Sequence, residues 1–366
     1  MKTFHCTHCQ NLVFFENVKC LSCHHDLAYL PDPMQMAALA QRDDGFWYHE
    51  DQAYKLCANN VAHQICNWAL PAADTEELCR SCRLTRVIPN LGQPGNEEAW
   101  RRLEIAKRRL LYTILALRLP LSGKTPSNPS GVEFEFLKDS AEPNGDWSRV
   151  LTGHDNGLIT INVAEADDVY REQQRTRQNE PYRTLLGHFR HEIGHYYWDR
   201  LVLDHPRHGE FRRLFGDESA DYQAALDQHY QYGPPANWET DFISAYASTH
   251  PWEDWAESWA HVLHMIDALE TAESVGVSIK PPRPDEPALA VGAPNFNAGS
   301  AAFDEMLRAW LALTYALNNF TRGLGLADSY PFVLSARVVE KLRFVYDTIN
   351  QSVTAAAQDS VAPRRG

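Results

Sequence analysis

Cysteine disappears from this chain after residue 82: all eight lie between Cys6 and Cys82, and the 284 residues beyond hold none. Any thiol chemistry is therefore confined to the N-terminal quarter. Long apolar runs are missing as well. The greasiest stretch, Leu110 to Leu119, is ten residues long and contains Arg118, whereas a spanning helix needs about twenty apolar residues, so no membrane segment is expected. The first twenty-five residues carry four cysteines in place of the continuous apolar core of a signal peptide. We therefore expect a cytoplasmic protein. Positive charge is scarce too: 34 basic against 48 acidic residues leave a net charge of −14, which repels polyanions and anionic membranes. Nucleic acid is accordingly not an expected partner. What is present, 44% apolar and 11% aromatic residues over 366 positions, suffices for a real core and excludes a disordered or collagen-like chain. The length suggests two or three domains.

The cysteines come in two sets. Cys6 and Cys9, then Cys20 and Cys23, form two pairs with two residues inside each pair and ten between them. Each pair can aim two thiolates at one ion, as a tetrahedral zinc ribbon requires. A disulfide framework is the alternative, but it needs an oxidising compartment. The second set, Cys57, Cys66, Cys79 and Cys82, is more loosely spaced. We expect a second four-cysteine zinc site there, with His63, three residues before Cys66, as an alternative to Cys57. Four thiolates leave zinc no open position, so both sites are expected to be structural, stapling segments too small for cores of their own.

Residues 1–32 read as the first ribbon and 33–95 as the second zinc-binding region, ending near Pro94-Gly95. Asn96 is placed to cap a helix from Glu97 to Leu117, where Trp100, Leu103, Leu110, Ile114 and Leu117 share one face. Its Arg101, Arg102, Lys107, Arg108 and Arg109 are expected to form a solvated face. Val132, Phe134 and Phe136 alternate with glutamates as in a half-buried strand. Asn156-Gly157 marks a turn, and a second strand runs from Leu158 to Val163. From Val169 onwards the chain reads as mostly helical. The exceptions are loops near His205, at Gly233-Pro234-Pro235, and across the proline-rich 276–300.

One motif carries chemistry. His191-Glu192-Ile193-Gly194-His195 lies in a presumed helix. Four residues make slightly more than one turn, so both histidines can reach one zinc with Glu192 beside its water. Such a site needs a third ligand. The histidine of the extended metzincin motif is excluded, because Trp198 and Leu201 stand at its glycine and histidine positions. A later carboxylate is the other common solution. Glu218 lies 23 residues past His195, and Glu253 lies 58 residues past it. Glu257, one turn beyond Glu253, either orients a ligand histidine or is an exposed carboxylate.

The phrase Tyr246-Ala247-Ser248-Thr249-His250-Pro251-Trp252-Glu253-Asp254-Trp255-Ala256-Glu257 resembles the second motif of lethal-factor-type and Mlc-titration-factor-type zinc peptidases. There a tyrosine precedes by seven residues the ligand glutamate of an E-aromatic-aromatic-A run. Here Asp254 replaces the first aromatic. The resemblance implies Glu253 as third ligand and Tyr246 as the phenol that steadies the oxyanion. Cys79-Arg80-Ser81-Cys82-Arg83-Leu84-Thr85 and His191 through Trp198 further resemble a bacterial group of zinc-binding metallopeptidases with an N-terminal zinc-ribbon domain.

That resemblance, with the motif, implies an α+β, helix-rich, zincin-like catalytic domain at 96–275 with a small edge sheet. The strand at Leu158–Val163 is expected at that edge, where an extended substrate would pair. Residues 301–366 would form its C-terminal helical part and a disordered tail. The expected function is zinc-dependent peptide-bond hydrolysis, with one catalytic and two structural zinc ions and a peptide or protein substrate. The alternative is a regulatory protein that binds protein or nucleic acid through its ribbons and carries an inactive zincin-like domain.

Overall fold

A computed structural model of the chain describes residues 1–141, 147–177, 180, 183–288 and 300–361. The fold mixes helix and sheet, with the cysteine-rich ribbon region first and a helix-rich region after it. It divides into two compact units, Met1–Arg171 and Glu172–Gly366.

The first unit opens with a short antiparallel pair, β1 (Phe4–His5) and β2 (Leu12–Val13). A five-stranded antiparallel sheet follows in chain order: β3 (Asp26–Leu30), β4 (Gln35–Gln41), β5 (Trp47–His49), β6 (Gln52–Leu56) and, after α1 (Ala58–His63), β7 (Ala69–Pro71). Strand β8 (Thr85–Val87) leads to the long helix α2 (Asn96–Ala116). Next come β9 (Glu133–Leu137), the small hairpin β10 (Ser140–Ala141) and β11 (Trp147–Ser148), then β12 (Gly153–Asp155) and β13 (Leu158–Asn162). The four strands β12, β13, β9 and β8 form a mixed sheet in that order, with β13, β9 and β8 parallel. Phe4, Phe15, Tyr29, Trp68 and Tyr112 join ribbon, sheet and helix in one aromatic cluster, with Phe15–Tyr29 and Tyr29–Trp68 centroids 4.9 and 5.0 Å apart.

Three expectations for this unit need correction. The strand from Leu158 is not at the sheet edge: the Asn156-Gly157 turn, both residues at positive φ, folds β12 back over it. A side chain at Gly157 would collide with the Gly131 carbonyl oxygen, so this turn needs glycine. Secondly, α2 is capped by Gly95, at φ 82°. Asn96 is its first helical residue and donates from Nδ2 to the Asn90 carbonyl at 2.9 Å. Thirdly, the basic face of α2 is only partly solvated. Arg101 and Arg102 pair with Glu98 on the surface and Arg109 with Glu16, but Lys107 and Arg108 are buried around Glu104, at 2.9 and 3.7 Å. The shared carboxylate permits this, because a buried charge survives only when paired.

The unit boundary falls within α3 (Asp168–Arg177). Beyond it lie α4 (Leu185–Leu201), α5 (His208–Phe215), α6 (Tyr222–Tyr232), α7 (Pro251–Ser274), α8 (Ser300–Gly323) and α9 (Ala336–Val361). Thr184 caps α4 by accepting from the Gly187 N–H. His250 caps α7, with Pro251 in its first turn. Helices α4 and α7 cross closely at Gly194, where a Cβ would stand 3.1 Å from the Ala256 Cα and 3.2 Å from Trp259. The Trp255 indole donates to the Gly194 carbonyl at 2.8 Å, and Trp259 stacks on Tyr197 at 4.9 Å. The proline-rich stretch is neither helix nor strand from 276 to 288; its residues 289–299, like the tail 362–366, lie outside the described residues. Among the described residues no helix is long and apolar enough to cross a membrane.

Candidate active site and metal centres

The crossing of α4 and α7 brings together the side chains singled out from the motif. His191 and His195, one turn apart on α4, present Nε2 atoms 3.3 Å from each other. Glu253, in the first turn of α7, meets them with Oε2 at 2.9 Å from His191 and Oε1 at 3.6 Å from His195. Zinc bound at about 2.0–2.1 Å by nitrogen and oxygen gives a tetrahedron with edges of about 3.3 Å, so the three donors fit such an ion. Glu253 is almost wholly buried, and a carboxylate at a helix N-terminus is favoured there by the unpaired N–H groups.

Around these three the structure adds support. His191 Nδ1 lies 2.8 Å from Glu257 Oε1, and Glu257 Oε2 accepts from Ser244 Oγ at 2.6 Å. Ser244 also accepts from the Ala247 N–H, which fixes the single helical turn that carries Tyr246. The Tyr246 ring is 5.9 Å from that of His191, and the Trp252 ring lies 4.0 Å from His195. Tyr222, at the start of α6, donates its hydroxyl to Glu253 Oε1 at 2.7 Å. The alternative ligand Glu218 is elsewhere, paired with His208 at 2.8 Å and with Arg212. Asp254, the departure from the aromatic pattern, forms a buried ion pair with Lys341 of α9 at 2.6 Å.

Comparison with known proteins gives the family. The family described as "Putative zinc-binding metallo-peptidase" matches residues 96–348, and a zinc-ribbon domain family matches residues 3–93. The chain belongs to this metallo-peptidase family. It is 42% identical over 352 residues to uncharacterized proteins of Mycobacterium bovis (Mb2598c) and Mycobacterium tuberculosis (Rv2568c), covering 96% of each chain. No solved structure matches it.

Electrostatics in the metallo-peptidase unit suit a cation. Burial alone would raise the Glu253 carboxyl, but the two imidazoles outweigh it and hold the group well below its usual range. Burial would likewise depress His191, yet the hydrogen bonds it donates to the Glu253 and Glu257 carboxylates push it up. A metal ion held here would supply the positive charge that a buried carboxylate needs. Glu192, beside them and buried, is raised by desolvation, the direction a proton-transferring carboxyl needs near neutrality. Burial beside Glu253 also raises the Tyr222 phenol, keeping it a hydrogen-bond donor.

The N-terminal unit carries two further clusters. Cys6, Cys9, Cys20 and Cys23 converge, as do Cys57, Cys66, Cys79 and Cys82, with all ligand atoms of each set within 4.8 Å of one another. Cys6–Cys23, Cys9–Cys20 and Cys66–Cys79 sulfurs are 3.6 Å apart. This is too long for a disulfide bond and close to the edge of about 3.8 Å expected around zinc at about 2.3 Å. His63 is not in the second cluster; its ring sits edge-on to Trp100 at 5.4 Å. The second set is fully buried, and Arg108 answers its charge. Burial would lower that guanidinium, but the thiolates of Cys66, Cys82 and Cys79, with Glu104, raise it, and Arg108 donates to the Ile65 carbonyl at 2.8 Å.

Tyr222 and Ser244 are the site residues that sequence reasoning missed. Neither stands at a motif spacing from the histidines. The only available signal was that Tyr222 follows Asp221, whose side chain caps α6, and so opens a helix at a defined position.

Proposed function

We propose that the chain is a zinc-dependent peptidase that hydrolyses peptide bonds in a peptide or protein substrate, with residues 96–275 as its catalytic domain. The convergence of His191, His195 and Glu253 beside the buried Glu192 supports this reading above all. Bound there, zinc would polarise the scissile carbonyl and bring the pKa of a bound water to about 7. Glu192 takes one proton from the attacking water and delivers it to the departing amine. Tyr246 donates its hydroxyl to the oxygen that becomes negative as the carbonyl carbon turns tetrahedral. Glu257 accepts from His191 Nδ1, fixing the tautomer that leaves Nε2 free to ligate, while Ser244 holds Glu257 in place. The four-cysteine clusters act as structural zinc sites, and we place the protein in the cytoplasm.

Replacing the carboxylate tests this directly. Glu192→Gln should retain the protein's zinc and lose about 10²–10⁴-fold in turnover on a peptide library, the range that general acid–base catalysis supplies. Tyr246→Phe should keep zinc and slow the chemical step. A Glu192→Gln protein as active as wild type overturns the assignment.

A further inference from the structure

Glu253 has two carboxylate oxygens, and their surroundings differ. Oε2 faces His191 Nε2 at 2.9 Å. Oε1 accepts the Tyr222 hydroxyl at 2.7 Å while standing 3.6 Å from His195 Nε2. A carboxylate offers zinc either one oxygen or both, and taking both fills a position that a reactant would otherwise use. A donor fixed on one oxygen draws electron density from it and favours ligation through the other. Tyr222 is itself held: it opens α6, which Asp221 caps through the Ala224 N–H at 3.0 Å. Its ring also packs edge-on to His250, the cap of α7, at 5.2 Å. The same turn is tied to α7 once more, since the His250 ring lies 3.2 Å from the Ala220 carbonyl.

We propose that Tyr222 is a positioning residue for the metal: its hydroxyl claims Oε1 of Glu253, so that the carboxylate engages zinc through a single oxygen and stays in one orientation. This rests on the zinc reading of the site but not on peptidase activity. Tyr222 acts on the metal through Glu253, whereas Tyr246 acts on the substrate oxygen. The two hydroxyls also interact with each other, so zinc affinity, not kcat, is the readout that isolates Tyr222: it governs how tightly the ion is held, while Tyr246 governs how fast the held ion's site turns over.

The test is zinc competition on the full chain with a graded chelator. Occupancy of the His191–His195–Glu253 position is the difference in zinc content between each protein and a His195→Ala reference. Tyr222→Phe should weaken zinc there by about 10–100-fold, the usual cost of losing a partner of a metal ligand. Thermal unfolding and the zinc held by the cysteines should not change, and neither would be spared by a merely structural defect. Tyr246→Phe should leave zinc affinity as it is and lower kcat. A loss of less than about 10-fold in Tyr222→Phe overturns the proposal. Should that variant not fold, Tyr222→Leu is judged by the same threshold. If wild type binds zinc at this position but hydrolyses nothing, the peptidase reading fails and the zinc titration still decides the role of Tyr222.

Discussion

Gly194 shows how one residue without a side chain serves the site. It lies between His191 and His195, and the Ala256 backbone and Trp259 leave a Cβ only 3.1–3.2 Å of room. In an exposed helix, Gly→Ala would stabilise by about 1 kcal/mol; here overpacking costs about 1–3 kcal/mol, and one obstacle is backbone, which can yield only by moving α7. Gly194→Ala should therefore destabilise the protein by about 1 kcal/mol in urea unfolding and loosen zinc, because α7 carries Glu253. Unchanged stability and zinc content would show that the crossing has slack. At this scale the sequence was most legible where spacing encodes chemistry, His191, Glu192 and His195 by helical period; Glu253 and Tyr246 came from the resemblance of their phrase to known zinc peptidases. The structure brings the first four of these side chains together and places the Tyr246 ring beside His191. Tyr222, Ser244 and the Asp254–Lys341 pair were not legible, since each partner comes from a different element and no local rule links them.

Among the elements, α2 departs furthest from its sequence pattern. Five basic residues read as a wet face, yet Lys107 and Arg108 are sealed beneath it, sharing Glu104 with Thr85, whose hydroxyl donates to Glu104 Oε1 at 2.8 Å. Periodicity locates the apolar stripe but does not say how wide the covered arc is, and here the mixed sheet and the second cysteine cluster extend it. Removing the shared carboxylate leaves two buried cations against a single cluster of thiolates. Glu104→Ala should thus cost about 3–5 kcal/mol, the scale for breaking a buried ion pair, read from the urea midpoint of the N-terminal unit. A change under about 1 kcal/mol, the worth of a surface pair, would mean that water reaches this group. Strand β4 went unread for a related reason. Its Gln-Met-Ala-Ala-Leu-Ala-Gln run favours helix by propensity, but pairing with β3 on one side and β5 on the other, with Met36 to Leu39 buried, overrides that preference.

At the scale of the molecule, three groups of metal-binding side chains among the described residues are distributed unequally between two compact units: both four-cysteine clusters in Met1–Arg171, the two-imidazole, one-carboxylate set in Glu172–Gly366. The donor sets differ in what they do for the fold. Small segments closed by four thiolates gain folding free energy from the ion itself, and the first unit packs its ribbon onto an aromatic cluster that includes Tyr29 and Tyr112. The second unit buries Trp255, Trp259, Tyr197, Phe211 and Phe344 in its core, a larger apolar store than a small ribbon has. Stepwise chelation should therefore proceed in a fixed order. The first ion to leave, from the set with fewest protein donors, should abolish hydrolysis while circular dichroism and the melting curve stay nearly unchanged. Removing the other two should melt the N-terminal strands. Elemental analysis should begin at about three zinc ions per chain, one for each ligand set. A protein that holds only two, or one whose structure collapses together with its activity on loss of the first ion, would show that the third set is not an independent, exchangeable metal site.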